Sequence, residues 1–383
     1  MEWKKVRLGD VCSRVCSGGT PKSTNLSYYG GEIPWLNTKE IDFNRIYSTE
    51  KTITESGLSN SSAKWIVPNT VTVAMYGATA GKSCIVKVPM TTNQACCNLA
   101  INDKVADYEF VYYSLKNDYT TLASLANGGA QQNLNAQIIK DYVLKMPSLA
   151  DQHRIASILS SLDRKIELNN KINADLEEMA QAIFKNWFVD FEPFKDGKFV
   201  DSELGMIPEG WKVGTLGELC NFKRGKNLLT KNAIDEGVPV VAGGLEPSCY
   251  HNVANTGAPV ITVSGSGANA GFMRMYHVPV WASDCSFIDI SCENFYFVYC
   301  FLKVNSKLLK HAQTGAVQPH VKPSDIHDFE LVVPDKESIF DFQDKVKPFF
   351  DKIAAIQKEN SRLSLLRDTL LPRLMSGELE VPD

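Results

Sequence analysis

The chain consists of two copies of one sequence pattern, and this duplication constrains its fold more than any other feature. The motifs return in the same order, while the spacing between the copies falls from 208 to 187 residues. An ordered series of this kind does not arise by chance, so we interpret the protein as a duplicated half. The matched motifs are residues 3–12 with 211–220, 77–81 with 267–271, 110–116 with 297–303 and 139–147 with 326–334.

Each copy begins with a segment typical of a small globular domain. Short β-branched runs predict strands, one longer segment predicts a helix, and Gly-rich turns separate them. The predicted strands include residues 70–75 and 259–263, and the predicted helices are residues 108–116 and 295–303. At 383 residues the chain is too long for one ordinary domain. We therefore predict an α+β fold with two small mixed α/β domains, the first at residues 1–150 and the second at residues 211–336.

Each copy ends in a long segment with apolar residues at heptad spacing, which predicts a coiled-coil helix. We place the first spacer helix at residues 151–190, a Pro/Gly-rich linker at 191–210, and the second spacer helix with a C-terminal tail at 337–383. Helices from duplicated halves pack most naturally as an antiparallel pair with pseudo-twofold symmetry. The predicted seam residues are Ile155, Ile158, Leu162, Asn169, Ile172, Leu176, Met179, Ile183, Val346, Phe349, Ile353, Ile356, Asn360, Leu363 and Leu370.

One asparagine lies on the predicted seam of each helix, Asn169 in the first and Asn360 in the second, at equivalent places in the two copies. A buried asparagine on a coiled-coil seam fixes the register of the helices at a cost in stability. The alternative is that each side chain simply reaches solvent. We favour the register interpretation.

The charge distribution restricts where a nucleic acid could bind. The net charge of −4 is not typical of a general nucleic-acid-binding protein. Residues 1–150 carry 15 Lys/Arg against 12 Asp/Glu, and residues 211–336 carry 11 of each, so the acidic excess lies in the predicted spacers and linker. The predicted spacers and linker are therefore not suited to bind a nucleic acid.

The ten cysteines do not form a metal-binding pattern, because no Cys-x-x-Cys pair occurs. We predict free thiols packed as small apolar groups and no metal site. The N-terminal segment has no apolar run typical of a secretion signal, and no stretch approaches the roughly 18 apolar residues of a membrane helix. These features lead us to expect a cytoplasmic protein with no membrane partner.

No catalytic motif is present in the sequence. The pattern Gly77-x-x-x-Gly81-Lys82-Ser83 is one residue short of a phosphate-binding loop, and its counterpart at residues 267–273 lacks the lysine and the serine. We interpret both as structural turns. The six histidines show no metalloenzyme spacing. A triad assembled in space stays open, but the prediction is a non-catalytic chain.

Four stretches of the sequence carry a family resemblance, namely residues 152–163, 182–191, 207–212 and 370–379. Through these stretches the chain resembles the specificity subunit of type I restriction–modification enzymes over essentially its full length. The second spacer departs from the pattern at its start, where residues 336–343 replace the expected Gln-x-x-Ile-Ala run.

The resemblance implies a DNA-binding subunit with two target-recognition domains, each specifying one half of a split, asymmetric site. It implies that the coiled coil sets the gap between the half-sites and docks two methylation subunits. Those partners would hold S-adenosylmethionine and modify adenine, and separate restriction subunits would use ATP and Mg²⁺. No cofactor is expected in this chain itself.

We expect DNA contacts from loops near the repeated turns, where polar side chains can approach a groove. Gln131 and Gln318 are shared between the copies, so a purely structural role is at least as good an interpretation for them. The candidates are Lys22, Thr38, Lys39, Tyr76, Lys82, Gln131, Gln132 and Asn133 in the first domain, and Arg224, Lys226, Asn269, Arg274, Gln318, His320 and Lys322 in the second.

Two other functions are compatible with the sequence. One is a coiled-coil scaffold that never binds a specific DNA sequence, and the other is a single-chain DNA methyltransferase with an unrecognised site. Random-sequence binding would favour the scaffold, and methyl transfer by the chain without partners would favour the enzyme.

Overall fold

The two heptad segments form the longest helices, Leu149–Phe188 and Lys336–Ser376. The structure is a computed structural model that describes residues 3–126, 133–313 and 319–381. The chain divides into one unit of Met1–Glu167 with Asn360–Asp383 and another of Leu168–Glu359. Each unit therefore combines one globular domain with a part of both long helices.

A five-stranded sheet forms the centre of the first globular domain. Its middle strand, Val71–Ala74, is rich in β-branched residues and buried along its whole length. The strands in spatial order are Cys12–Ser17, Cys96–Ile101, Val71–Ala74, Ser83–Val86 and Arg45–Ile46. A second sheet contains Thr52–Ile53, Tyr29–Leu36 and Thr91–Thr92, and Lys4–Arg7 pairs with Val143–Met146. The helices are Glu55–Ser59, Tyr108–Asn117, Tyr119–Ser124 and Ala136–Asp141.

The second globular domain is organised around a four-stranded sheet with the buried strand Val260–Ser264 in its interior. The strands in spatial order are Lys223–Arg224, Cys285–Asp289, Val260–Ser264 and Met273–Tyr276. A second sheet contains Cys249–His251, Val238–Val241 and Trp281–Ala282, and Lys212–Thr215 pairs with Glu330–Val333. The helices are Phe295–Val304, Ser306–His311 and Pro323–His327.

The two domains share one strand order. The central strands Val71–Ala74 and Val260–Ser264 each pair antiparallel with two neighbours in matching register. The first domain adds the edge strand Arg45–Ile46 to this common sheet. The predicted α+β class, the internal duplication and the long helices are therefore confirmed.

The long helices contribute to the core of each unit. In the first unit Ile155 and Leu159 pack with Leu371 and Leu374 in the same cluster as the domain residue Phe110. In the second unit a larger cluster of aromatic rings joins the helices to the domain. Its buried aromatic members are Phe184, Phe188, Trp211, Phe222, Phe295, Tyr296, Phe297, Tyr299, Phe301, Phe342 and Phe350.

Within each unit the two helix segments run antiparallel. In the second unit Asn169 bonds Glu359, while Phe184 packs against Phe342 with ring centroids 5.6 Å apart. Residue numbers increase along one helix as they decrease along the other, so the two segments are antiparallel. In the first unit Asp163 bonds Arg367, and Ile155 and Leu159, which precede Asp163, share a cluster with Leu371 and Leu374, which follow Arg367.

The predicted seam residues are buried to different degrees. The prediction is wrong at Met179, which is half-exposed, and it omitted the buried residues Leu159, Ala180, Phe184 and Phe350. A straight helix drifts from a strict heptad, and the globular domains cover further helix positions. The buried predicted residues are Ile155, Asn169, Val346, Ile353 and Ile356, and the partly buried ones are Ile158, Leu162, Ile172, Leu176, Ile183, Phe349, Asn360, Leu363 and Leu370.

The segment predicted as a linker contains a β-hairpin. Its strands, Phe199–Ser202 and Gly205–Pro208, pair antiparallel around Gly205, which has a positive φ of 96°. Phe194 packs on Trp211 with ring centroids 4.8 Å apart, so this segment is attached to the second domain. Composition alone suggested an irregular linker because Pro, Gly and acidic residues also fill tight turns.

Candidate nucleic-acid interface

The repeated Gly-rich motif forms the same tight turn in both domains. Gly77 and Gly267 have φ of 78° and 80°, a left-handed conformation that favours glycine. Each turn is closed by a backbone bond to the preceding strand, from Gly81 to Ala74 at 2.8 Å and from Gly271 to Ser264 at 2.9 Å. The motif is therefore a structural turn that follows the central strand, as the sequence indicated.

In each domain a second segment pairs with the residue that comes just before this turn. Tyr76 and Asn133 form an isolated antiparallel bridge in the first domain, and Ser266 and His320 form the equivalent bridge in the second. The repeated sequence thus places one pair of polar side chains beside the turn in each copy. Gln131, Gln132 and Gln318 lie outside the described residues.

The first domain brings four candidate residues near its turn. Thr79 donates its hydroxyl to the backbone oxygen of Thr38 at 3.0 Å, which joins the Thr38–Glu40 segment to the turn. Tyr76 and Asn133 are exposed there, and Lys82 follows the turn. This grouping presents hydroxyl, amide and ammonium groups, which can contact bases and phosphates.

The lysines of the first domain differ in their partners. Lys82 lies 2.5 Å from Asp42, and Lys39 lies 3.0 Å from Glu50. Lys22 is exposed and precedes the short helical turn Leu26–Tyr28. Both ion pairs are on the surface, where they stabilise the fold little and can open to a phosphate.

The second domain holds a compact polar cluster beside its turn. The guanidinium of Arg224 donates to the carboxylate of Asp284, and the Ser266 hydroxyl donates to the same carboxylate. His320 lies next to the cluster, because its backbone forms the bridge to Ser266. The Arg224 side chain is 45% exposed and Asp284 31% exposed, so the pair is accessible from solvent.

The other candidates of the second domain lie around this cluster or apart from it. Lys226 is exposed two residues after Arg224, and its backbone oxygen accepts from the Trp281 indole at 2.8 Å. Lys322 is exposed immediately before the helix Pro323–His327. Asn269 lies half-buried within the turn itself.

Arg274 is not part of this cluster. It lies on Met273–Tyr276, the edge strand opposite to Lys223–Arg224. Its Nη1 donates to the Leu245 carbonyl at 2.9 Å and to Glu246 at 3.0 Å, and its guanidinium lies 5.1 Å from the centre of the Tyr276 ring. The structure therefore divides the arginine candidates of this domain between two edges of one sheet.

Sequence reasoning overlooked Asp284 and Ser266. An acidic residue is not expected on a DNA-binding surface, and Ser266 belongs to none of the motifs identified in the sequence. The one available signal is the asymmetry of the repeat, because Asp284 replaces Ala95 of the first copy.

The cysteines are free thiols. All ten are unpaired, and burial raises the pKa of Cys12, Cys97 and Cys285 to about 12. Among the described residues no group of His, Cys, Asp or Glu has a geometry suited to hold a metal ion. No helix in those same ranges is long and apolar enough to cross a membrane.

Comparison with known proteins gives matches that span both copies of the repeat. The model of the type I restriction modification DNA specificity domain matches residues 1–178 and 208–364. The MjaIX specificity subunit of Methanocaldococcus jannaschii is 31% identical over 411 residues, covering 100% of this chain and 94% of that protein. The HindI specificity subunit of Haemophilus influenzae is 26% identical and covers 71% and 77% of the two chains. The crystal structure of an S subunit from M. genitalium has a TM-score of 0.61 at 21% identity, covering 100% and 97%.

Proposed function

The chain belongs to the family of type I restriction–modification DNA specificity subunits, and from this premise we propose that each globular domain recognises one half of a split DNA site. One observation carries the proposal. The domains share a sheet, a turn and a second segment that pairs just before the turn, yet they present different side chains there, Tyr76 and Asn133 in one and Ser266 and His320 in the other. A common framework with different polar groups is suited to reading two different half-sites.

The long helices complete the proposal. We infer that the length of Leu149–Phe188 and Lys336–Ser376 sets the number of base pairs between the half-sites. The same helices would dock two methylation subunits, which hold S-adenosylmethionine and modify adenine. Restriction subunits that use ATP and Mg²⁺ would join that complex, so the chain supplies sequence recognition and its partners supply the chemistry.

The charge of the chain supports a DNA-binding surface that is shared with the partner subunits. The first domain has a surplus of only three positive charges and the second has none. Each phosphate contact contributes to affinity through release of counterions, so a small surplus gives weak binding. Basic surfaces of the partner subunits would supply the remaining contacts.

Mapping of methylated adenines tests the proposal. The chain is co-expressed with its methylation partner in a host that lacks adenine methylation, and the genome is sequenced by a method that detects methylated adenine. We expect one motif made of two unlike half-sites with a fixed gap. A continuous motif, or methylation without any motif, would contradict the proposal and favour a scaffold.

A further inference from the structure

Strand registers define which residues of the two globular domains are equivalent. In the first domain Ser17, Cys97 and Val73 lie side by side across three strands. In the second domain Arg224, Ser286 and Val263 occupy the same three places. Arg224 therefore stands where the first domain has Ser17.

Backbone bonds extend the equivalence to the carboxylate and to the turn. The Met75 amide donates to the Ala95 carbonyl at 2.8 Å, and the Gly265 amide donates to the Asp284 carbonyl at 3.1 Å. Leu134 donates to Met75 and Val321 donates to Gly265 in the same way, at 2.8 and 3.1 Å. Asp284 thus replaces Ala95, and Gly265 replaces Met75.

These replacements act together. A side chain at Gly265 would occupy the space taken by the Arg224 guanidinium, since an added Cβ would overlap its Nη1. In the first domain the equivalent residue is Met75, which has a side chain at this position and is buried. The second domain therefore combines an arginine, a carboxylate that binds it and a glycine that makes room for it, and the first domain has none of the three.

The chemistry of this arrangement favours base recognition by Arg224. A guanidinium is suited to donate two parallel bonds to the O6 and N7 acceptors of guanine. Holding it against a carboxylate reduces the side-chain entropy lost on binding. The carboxylate also offsets the positive charge, so the pair gains little from a phosphate, whereas the neighbouring exposed Lys223, Lys226 and Lys322 keep that role.

We propose that Asp284 is a positioning residue that orients Arg224 to recognise one guanine in the half-site of the second domain. This inference rests on the proposed function. The first domain, with Ser17 and Ala95 at the equivalent positions, has no such requirement. The two half-sites therefore differ in whether guanine is required at the equivalent base.

The test compares methylation motifs and DNA binding of complexes that contain variant chains. Arg224→Gln is expected to reduce the preference for guanine at one position of one half-site about tenfold or more. Asp284→Asn is expected to weaken the same preference while it strengthens binding to unrelated duplexes, because one negative charge near the DNA is removed. Asp284→Glu, which retains a carboxylate, is expected to restore part of the preference.

Lys212→Gln provides the matched control. It removes one positive charge of a surface ion pair in the same domain, since Lys212 lies 2.5 Å from Glu218. The control is expected to retain the wild-type motif. Thermal melting of each complex reports whether a variant is folded.

Four outcomes would overturn the inference. They are an unchanged motif in Arg224→Gln, an unchanged motif in Asp284→Asn, an equal loss at every DNA sequence, and a loss in Asp284→Asn with no gain on unrelated duplexes. If the wild-type complex itself shows no split motif, the proposed function fails. If the split motif is present but insensitive to Asp284, only this inference fails.

Discussion

At the scale of single residues, the first unit is distinguished by a buried ionic network. Arg45 is 3% exposed and lies 3.2 Å from Glu109 on the domain helix and 2.9 Å from Glu167 on the long helix. Asp163 accepts from Tyr113 at 2.6 Å and from Arg367 at 2.8 Å. Each carboxylate here has a cationic or hydroxyl partner, so the network joins the first domain to both long helices.

Removal of the central cation should destabilise this unit strongly. We expect Arg45→Met to lower the free energy of unfolding by about 3–5 kcal/mol, because Glu109 and Asp163 would remain buried with fewer partners. Denaturant unfolding of the full chain measures the change. Arg7→Met, which breaks an exposed pair with Asp10 in the same unit, should have a much smaller effect. Equal effects of the two substitutions would refute the network's role.

Neither the Arg45 network nor the Arg224 cluster could be derived from the sequence. Arg45 and Glu167 are far apart along the chain, and Arg224, Ser266 and Asp284 lie on different strands and loops. Heptad and strand periodicity report which face of an element is buried, whereas these clusters depend on how elements pack. The sequence did include Arg224 among its candidates, because loops near the repeated turns were expected to contact DNA.

At the scale of elements, the start of the second long helix is fixed by a side-chain cap. Asp335 accepts from the Ser338 amide at 2.8 Å, from the Ser338 hydroxyl at 2.9 Å and from the indole of buried Trp211 at 2.7 Å. Burial of Asp335 works to raise its pKa, but these hydrogen bonds outweigh it and hold the pKa below its usual value. The cap therefore connects the helix to the repeated Trp-Lys motif.

The cap predicts a pH-dependent difference in stability. Asp335→Asn should destabilise the chain by about 1 kcal/mol at neutral pH, because an amide nitrogen cannot accept from Trp211 and the negative charge at the helix N-terminus is lost. Because the folded pKa is lowered, this contribution is complete above about pH 4, the usual carboxyl pKa, and is lost as the pH falls through the folded value. Unfolding curves of wild type and variant should therefore begin to converge at about pH 4 and continue to converge as the pH falls through the lower folded pKa. A difference that stays constant over this range would show that the carboxylate charge is not involved.

Elements were more predictable than their contacts. The predicted helix starts at residues 151 and 337 lie within two residues of the observed starts, Leu149 and Lys336. Sustained periodicity and the repeat support each other there. The hairpin at Phe199–Ser202 and Gly205–Pro208 was missed because short strands in a Pro/Gly-rich stretch have no clear alternation.

At the scale of the whole molecule, the duplication is suited to the proposed recognition of two unlike half-sites by one chain. Each copy retains the turn that begins at Gly77 or Gly267, and each differs at the residues beside it. The residues beside the turn can differ without any change in the turn itself. Substitutions in one copy can therefore change one half-site while the other half-site stays the same. In the proposed function, the length of the two long helices sets the number of base pairs between the half-sites.

Adenine-methylation mapping with a lengthened helix pair tests the central claim most directly. One heptad is inserted after Asn169 and another before Glu359, which bond each other at 2.9 Å, so that both helices lengthen together. The same heptad inserted in the hairpin turn after Glu203 serves as the control. Seven residues add about 10.5 Å of helix, or about 3 base pairs at ~3.4 Å each. We predict that both half-sites keep their sequences and that the gap grows by about 3 base pairs only in the helix variant; an unchanged gap in a folded, active complex would contradict the account.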